Sequence, residues 1–336
     1  MKIIIDAMSG DKAPEEIVKG AVMARRELGV DVVLVGQQEV VKACLEAESC
    51  TDIEVVDARD VVTMEDDPST ATRRKKDASM TVALNMLRDG SGDAVVSAGS
   101  TGALLTGATL IVKRIRGIRR AAMAPVIPTT TGQAVLIDCG ANAECTPEYL
   151  VQFAYLGSYY AHRVLGAERP RVGLLNIGTE DSKGTDLQRE TLRWLREAHT
   201  AGHLNFIGNI EAKEAIKGGC DVIVCDGFSG NVLLKTMEGV GSFAGSALKA
   251  MFKKNLLTKL AALCVMPGLN AFKAKLDPNK VGGTAFIGIS RPVIKAHGSS
   301  NAEAIENAMG QAVQVARSGI IRDIEENVAL MKVERE

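Results

Sequence analysis

The run Lys2-Ile3-Ile4-Ile5-Asp6-Ala7-Met8-Ser9-Gly10-Asp11 decides the fold. Three consecutive isoleucines leave no solvent-facing position between them, so a strand over 2–6 is buried on both faces. That is the habit of a parallel sheet covered by helices on either side. The strand ends in a carboxylate, small residues and a glycine, and Pro14 then heads an amphipathic stretch to Leu28. Proline suits a first helical turn, where its missing N–H has no acceptor to lose. Strand, glycine turn and helix together are the opening unit of an α/β protein.

Working outward, the same alternation continues. Strands are expected at Asp31–Gly36, Ile53–Asp57, Ala94–Ala98, Ala134–Asp138, Val172–Ile177, Leu204–Gly208 and Val222–Asp226. Helices are expected at Pro14–Leu28, Ser69–Arg88, Gly102–Arg116, Pro147–Leu165 and Asp186–Ala198. No low-complexity linker or repeat divides the chain, so residues 1–336 read as one three-layer α/β/α catalytic domain on a mainly parallel sheet, with room for two lobes. After Ser229 the helical pattern runs on to about Val265, is broken by Pro267-Gly268 and resumes around Leu269–Leu276. Residues 229–276 thus form a long helix and a projecting hairpin. Leu256, Leu257 and Leu260 lie there amid Lys253, Lys254, Lys259, Lys273 and Lys275, a combination suited to an anionic membrane surface. A buried oligomer helix with solvated lysines is the plainer alternative.

Composition narrows the function. With 40 Lys+Arg against 41 Asp+Glu the formal net charge is −1, and aromatics are 4%, which removes both the electrostatic and the stacking argument for a nucleic-acid binder. No uncharged apolar run approaches the about 18 residues that span a bilayer, and the N-terminal run is too short for a signal-peptide core, so a cytoplasmic protein is expected. Seven cysteines without a C-x-x-C pair read as reduced core thiols, and His199 and His203, though spaced i,i+4, are separated by Gly202 near a helix end; no metal is expected.

Six glycine-bearing turns follow strands: Asp6-Ala7-Met8-Ser9-Gly10-Asp11, Ser97-Ala98-Gly99-Ser100-Thr101-Gly102, Asp138-Cys139-Gly140-Ala141-Asn142, Asn176-Ile177-Gly178-Thr179-Glu180, Gly208-Asn209-Ile210-Glu211 and Asp226-Gly227-Phe228-Ser229-Gly230-Asn231. Ligands of open parallel sheets bind at the carboxyl ends of strands, and glycine turns at helix N-termini offer N–H donors to a phosphate-like anion. One crevice collecting all six is expected. G-x-G-x-x-G after a strand and G-x-x-x-x-G-K-[ST] are both missing, which argues against nucleotide chemistry. Gly227-Phe228-Ser229-Gly230-Asn231 approaches a nucleophile elbow but ends in Asn. Lys183, in a polar loop ahead of a helix, either neutralises a bound phosphate or developing oxyanion or is simply solvated. Asp226 either serves the site or caps the following helix. Arg73-Arg74-Lys75-Lys76 and the run Lys113, Arg114, Arg116, Arg119 and Arg120 are solvated faces or a docking surface for an acidic partner.

Taken together, the turns resemble the bacterial phosphate acyltransferase (PlsX) family of phospholipid synthesis over essentially the whole length. The resemblance also rests on Glu65-Asp66-x-Pro68, Arg74-Lys75-Lys76-x-x-Ser79-Met80, Lys183-Gly184 and His297-Gly298-Ser299-Ser300. Ser9 stands where the family usually has Gly, Ser100 where it has Asn, and Gly282-Gly283-Thr284-Ala285-Phe286-Ile287-Gly288 where it has Gly-Gly-Ala-Pro-Leu-Leu-Gly.

The resemblance implies a fold like those of isocitrate and isopropylmalate dehydrogenases and phosphotransacetylases, a homodimer and peripheral attachment to the inner face of the membrane. It implies conversion of long-chain acyl-[acyl-carrier-protein] and inorganic phosphate to acyl phosphate, without a cofactor. Lys183 and Asn231 would be the catalytic pair, with Asp226 and His297 as weaker candidates. Asp6, Gly10, Asp11, Gly99, Ser100, Thr101, Gly102, Asn142, Asn176, Gly178, Glu180, Asn209 and Gly230 would hold phosphate or substrate, and Arg73, Arg74, Lys75, Lys76 and Arg116 would dock acyl carrier protein. The rival readings are a phosphotransacetylase-like enzyme with another thioester, an NAD-dependent decarboxylating dehydrogenase of the same fold, and a non-catalytic membrane-associated regulator.

Overall fold

The computed structural model describes residues 1–255, 257–259, 261–262, 265–268 and 282–333. In chain order the strands are β1 (Lys2–Asp6), β2 (Asp31–Gly36), β3 (Glu54–Asp57), β4 (Ala94–Ser97), β5 (Ala122–Ala124), β6 (Val126–Pro128), β7 (Gln133–Ile137), β8 (Val172–Leu175), β9 (Phe206–Ile210), β10 (Val222–Val224), β11 (Gly283–Ile287) and β12 (Val293–Ala296). The helices are α1 (Glu15–Leu28), α2 (Gln38–Ala47), α3 (Ala71–Arg74), α4 (Ser79–Arg88), α5 (Thr101–Gly107), α6 (Pro147–Arg163), α7 (Asp186–Thr200), α8 (Ala212–Ile216), α9 (Gly227–Lys253), α10 (Ala302–Arg317) and α11 (Ile320–Asn327).

These strands build two sheets. The first has seven strands in the order β3-β2-β1-β4-β12-β11-β5, and the second five in the order β6-β7-β10-β8-β9. Pairing is parallel except where β11 meets β12 and β5, and where β6 meets β7. The polypeptide crosses from one sheet to the other through Pro125, between β5 and β6.

The isoleucine run behaves as its pattern demands. Ile3 and Ile5 enter one core with Ile17, Val18 and Ala21 of α1 and Ile305, Ala308 and Ala312 of α10, while Ile4 enters another with Met80, Leu84 and Leu87 of α4 and Leu104 of α5. Each isoleucine so buried is worth about 1.5–3 kcal/mol relative to exposure. The second sheet is sandwiched likewise. Val135, Val172 and Leu174 pack with Phe153 of α6 and Leu195 of α7, whereas Leu136 and Ile223 pack with Ala215 of α8 and the flank of α9 at Leu233 and Leu234. The first of these clusters is continuous between the sheets, and the buried Gln311 Nε2 of α10 donates to Tyr160 Oη of α6 at 3.0 Å across it. Both sheets therefore have three layers, as expected, and they share the core between them.

Several boundaries differ from the sequence expectation for identifiable reasons. The helix expected over Ser69–Arg88 is split into α3 and α4 because 75–78 is held by the 60–66 loop: Asp60 N donates to Asp77 O at 3.1 Å, Ser79 N to Asp60 O at 3.1 Å, and Lys75 Nζ to Asp66 Oδ2 at 2.8 Å. The helix expected over Gly102–Arg116 changes after Gly107 to a wider π turn at Ala108–Val112 and stops at Lys113, whose φ is +78°. In β9 a bulge after Phe206 carries the strand past Gly208 to Ile210, so Asn209 belongs to the strand and not to the turn beyond it. The long helix ends at Lys253, and a new turn begins where Asn255 Oδ1 accepts Thr258 N at 2.9 Å and Asn255 N donates to Thr258 Oγ1 at 3.0 Å. Residues 265–268, with Pro267 and Gly268, are helical rather than a break, and the expected second segment at 269–276 lies outside the described residues.

Candidate active site

The six turns do not meet at one edge. They divide between the carboxyl ends of the two sheets, and α9 faces both groups.

At the first edge, the buried Asp6 carboxylate accepts Ser97 Oγ at 2.6 Å, and Ser97 Oγ in turn accepts Gly99 N at 3.1 Å, which ties the β1 and β4 turns together. Gly10 packs against Ala98, and Asp11 N donates to Gly298 O at 2.8 Å, bringing the His297–Ser300 turn alongside. Thr101 and Gly102 start α5, with Ser100 before them, and Pro68 covers Gly102. His297 is exposed, with Nδ1 2.9 Å from Ser299 Oγ. Burial, then the charges of Lys235 and Lys295, push it down from its ordinary value, which favours the neutral ring at pH 7.

Lys295, on β12 beside Ser97, is a member of this edge that pattern reading missed. Burial pushes its ammonium down to about 8 against the opposing pull of Asp11 and Asp6. The Val-Ile-Lys-Ala stretch at 293–296 is too short and too interrupted to signal a strand, and its neighbours are known only once the strand order is.

The second edge is organised by Asp138. Its Oδ1 accepts Met123 N at 2.8 Å and Cys139 N at 2.7 Å, and its Oδ2 accepts Asn142 N at 2.6 Å and Asn142 Nδ2 at 2.9 Å. Burial pushes the Asp138 carboxyl up from the carboxylate range while these donors pull it back. Asn142 O accepts Gly227 N at 2.8 Å, which seats the start of α9 on the loop. Gly230 has to be glycine for this approach, since a Cβ there would lie 2.0 Å from Asp138 O. Asn231, one residue on, sits over Gly140.

Asp226 caps α9, with Oδ1 accepting Ser229 N and Oδ2 accepting Ser229 Oγ, both at 2.8 Å. Of the two roles the sequence left open, the carboxylate is engaged in capping. Ser229's hydroxyl is donated to that carboxylate, not to a histidine.

The third group lies beyond β8. Asn176 Nδ2 donates to Lys183 O at 3.2 Å, Lys183 N to Glu180 O at 3.1 Å, and Asn209 Nδ2 to Glu180 O at 3.0 Å, so one compact loop holds Asn176, Gly178, Glu180, Lys183 and Asn209. Gly184, at φ +86°, makes the return turn. Lys183 is exposed. The order β7-β10-β8 sets this loop next to the Asp226 turn.

Further out, Arg73, Arg74, Lys76 and Arg116 are exposed, but Lys75 is committed to Asp66, to Asp60 at 3.7 Å and to Val61 O at 2.8 Å. Lys75 thus fastens the loop rather than presenting a free charge. Leu257 is exposed with Lys253, Lys254 and Lys259, whereas Leu256 and Leu260 lie outside the described residues. Cys44, Cys50, Cys139, Cys145, Cys220 and Cys225 are free thiols, and His199 Nδ1 lies 3.1 Å from Leu204 O. Among the described residues no helix is long and apolar enough to cross a membrane.

Glycine turns, helix N-termini and cations at the carboxyl edges of covered parallel sheets define a class, the α/β/α enzymes that handle phosphate groups. Solved structures agree on the fold. The EutD phosphotransacetylase from Staphylococcus aureus matches with a TM-score of 0.63 at 16% identity over 94% of each chain. A branched-chain phosphotransacylase from Enterococcus faecalis matches at 0.56 and 14%, over 95% of this chain and 99% of that one. The family model described as fatty acid synthesis protein matches residues 1–323. The phosphate acyltransferase of Alkaliphilus oremlandii is 46% identical over 98% of both chains, and that of Brevibacillus brevis 45% identical over 98% of this chain and 97% of its own. The chain belongs to the phosphate acyltransferase family, an acyltransferase family of fatty acid and lipid synthesis.

Proposed function

We propose that the protein transfers a long-chain acyl group from acyl carrier protein to inorganic phosphate, giving acyl phosphate and free carrier thiol for phospholipid synthesis. An oxygen of phosphate attacks the thioester carbonyl, the tetrahedral oxyanion collapses, the C–S bond breaks and the thiolate takes a proton. The observation that carries this reading is the company of Lys183 and the α9 N-terminus on adjacent turns of a chain so similar to phosphate acyltransferases. Direct attack is favoured over an acyl-enzyme because the Ser229 hydroxyl is tied into the helix cap by Asp226 and, among the described residues, makes no hydrogen bond to a histidine. Positioning supplies the entropic part of the rate gain, and cations with N–H donors stabilise the oxyanion.

On this reading Lys183 neutralises developing charge and Asn231 donates a hydrogen bond. Phosphate and the reacting carbonyl lie among Asp6, Gly10, Asp11, Gly99–Gly102, Asn142, Asn176, Gly178, Glu180, Asn209 and Gly230. Asp226 holds the helix N-terminus, and His297 lines the first edge. Arg73, Arg74, Lys76 and Arg116 present the positive charge that an acidic carrier needs. The exposed Leu257 within a lysine fringe supports peripheral contact with an anionic membrane from the cytoplasmic side. Exposed Val240 and Phe243 on α9 support burial of that helix against a second copy in a homodimer built from a single catalytic domain.

The test is incubation with acyl carrier protein thioester and phosphate. Phosphate-dependent thiol release, with an acyl phosphate trapped by hydroxylamine, is expected. Thiol release that ignores phosphate, or a radioactive acyl group retained covalently on Ser229, refutes the scheme.

A further inference from the structure

Three side chains stand in one row across the first sheet. The register sets Ile5 beside Val96 and Ser97 beside Lys295, so Asp6, Ser97 and Lys295 are lateral neighbours on β1, β4 and β12 and share a face. Asp6 and Ser97 satisfy each other at 2.6 Å. Lys295 is only partly exposed, and its Nζ donates to Ala98 O at 3.4 Å and to Ala296 O. Among the described residues those carbonyls are its hydrogen-bond partners, and it forms no salt bridge.

The groups facing this ammonium come from both halves of the molecule. Asp6 and Asp11 belong to the β1 turn, His297 follows β12, and Lys235 reaches over from α9, paired with Glu238 at 2.7 Å. Next to the same Ala98–Gly99 turn lies Ser9, whose hydroxyl is buried to 2% exposure without a hydrogen-bond partner and sits 3.0 Å from where a Gly99 Cβ would be. A second cation, an orphaned hydroxyl and an ammonium held by carbonyls without a salt bridge, all beside a glycine turn, ask for a small ligand rich in acceptor oxygens.

We propose that Lys295 binds an oxygen of inorganic phosphate at the first sheet edge, with Ser9 and Lys235 around the same anion. This rests on the phosphate acyltransferase reading and adds a binding residue to it, on the opposite edge from Lys183. Half-burial between carbonyls fixes the ammonium in place before phosphate arrives, whereas a solvated lysine would have to be ordered on binding.

Steady-state kinetics of Lys295→Met and Lys295→Arg, varying phosphate and acyl carrier protein thioester separately, test the assignment alongside calorimetric titration of each protein with inorganic phosphate alone. The Met variant is expected to raise the KM for phosphate at least tenfold, with the KM for thioester within twofold, and to weaken phosphate in calorimetry by the same factor. Wild-type affinity for phosphate should fall as pH rises above about 8, where the amine loses its proton, and the Arg variant should lack that fall. Arg also keeps the test open should Met fail to fold. Unchanged phosphate KM and calorimetry, a rise confined to the thioester, or the same pH profile in the Arg variant overturn the role of Lys295. A wild-type protein that binds phosphate through Lys295 yet makes no acyl phosphate would refute the transferase reading and leave this one standing.

Discussion

The two sheet edges solve the same problem with opposite means. At the second edge a buried carboxylate, Asp138, is saturated by N–H donors from Met123, Cys139 and Asn142, and the result is a closed piece of architecture that seats the start of α9. At the first edge, Asp6 is satisfied by Ser97, but the cation beside them keeps only carbonyl partners. A saturated network fixes shape, and an unsaturated one is held in readiness for a ligand. Carboxylates in both edges are equally buried, so burial alone does not distinguish the two; the count of satisfied partners does.

The comparison breaks first at Asp138. Asp138→Ala strips an acceptor from several buried N–H groups and is expected to cost about 3–5 kcal/mol in urea unfolding, enough to leave little folded protein. A loss below about 1 kcal/mol would mean that the second edge is held by the shared core instead. Next comes the stability effect of Lys295. Its folded value of about 8 lies below the unfolded 10.5, so the unfolded chain binds more protons between those pH values and stability rises with pH across that window. The ammonium's burial cost, on the order of 3 kcal/mol, is present below pH 8 and fades by pH 10.5. Lys295→Met should therefore unfold at a higher temperature than wild type at pH 7, with the gap closing at high pH; a less stable variant would make Lys295 a structural tie. The smallest effect is expected at Lys183, where exposure makes stability indifferent while turnover drops about a hundredfold in Lys183→Ala, near 2.7 kcal/mol. Near-normal turnover with a normal unfolding curve would leave the chemistry to the first edge.

What could be read from the chain alone followed the local signals. Ile3–Ile5 and Val32–Val35 are continuous apolar runs, and β1 and β2 each reach one residue beyond their run at either end. Pro147 opens α6 as its missing donor requires. The division into two sheets was not legible, because β5 and β6 are three residues each around Pro125 and carry no periodicity. Lys75 shows the same limit on the other side: within Arg73-Arg74-Lys75-Lys76 its charge looks like its neighbours', and only the fold brings Asp66 to it. The glycine turns were recognisable as anion sites one by one. Which turn shares an edge with which is a property of strand order, so the division of the six turns between two sheet edges, with α9 facing both, could not be read from the chain.

The crossing at Pro125 has a mechanical consequence. Residues 122–128 belong to both sheets, and Asp138 grips the backbone of Met123 inside that crossing. This short crossing, gripped at Met123 N by Asp138 and flanked by the core that both sheets share, ties the two carboxyl edges to one another at a single place.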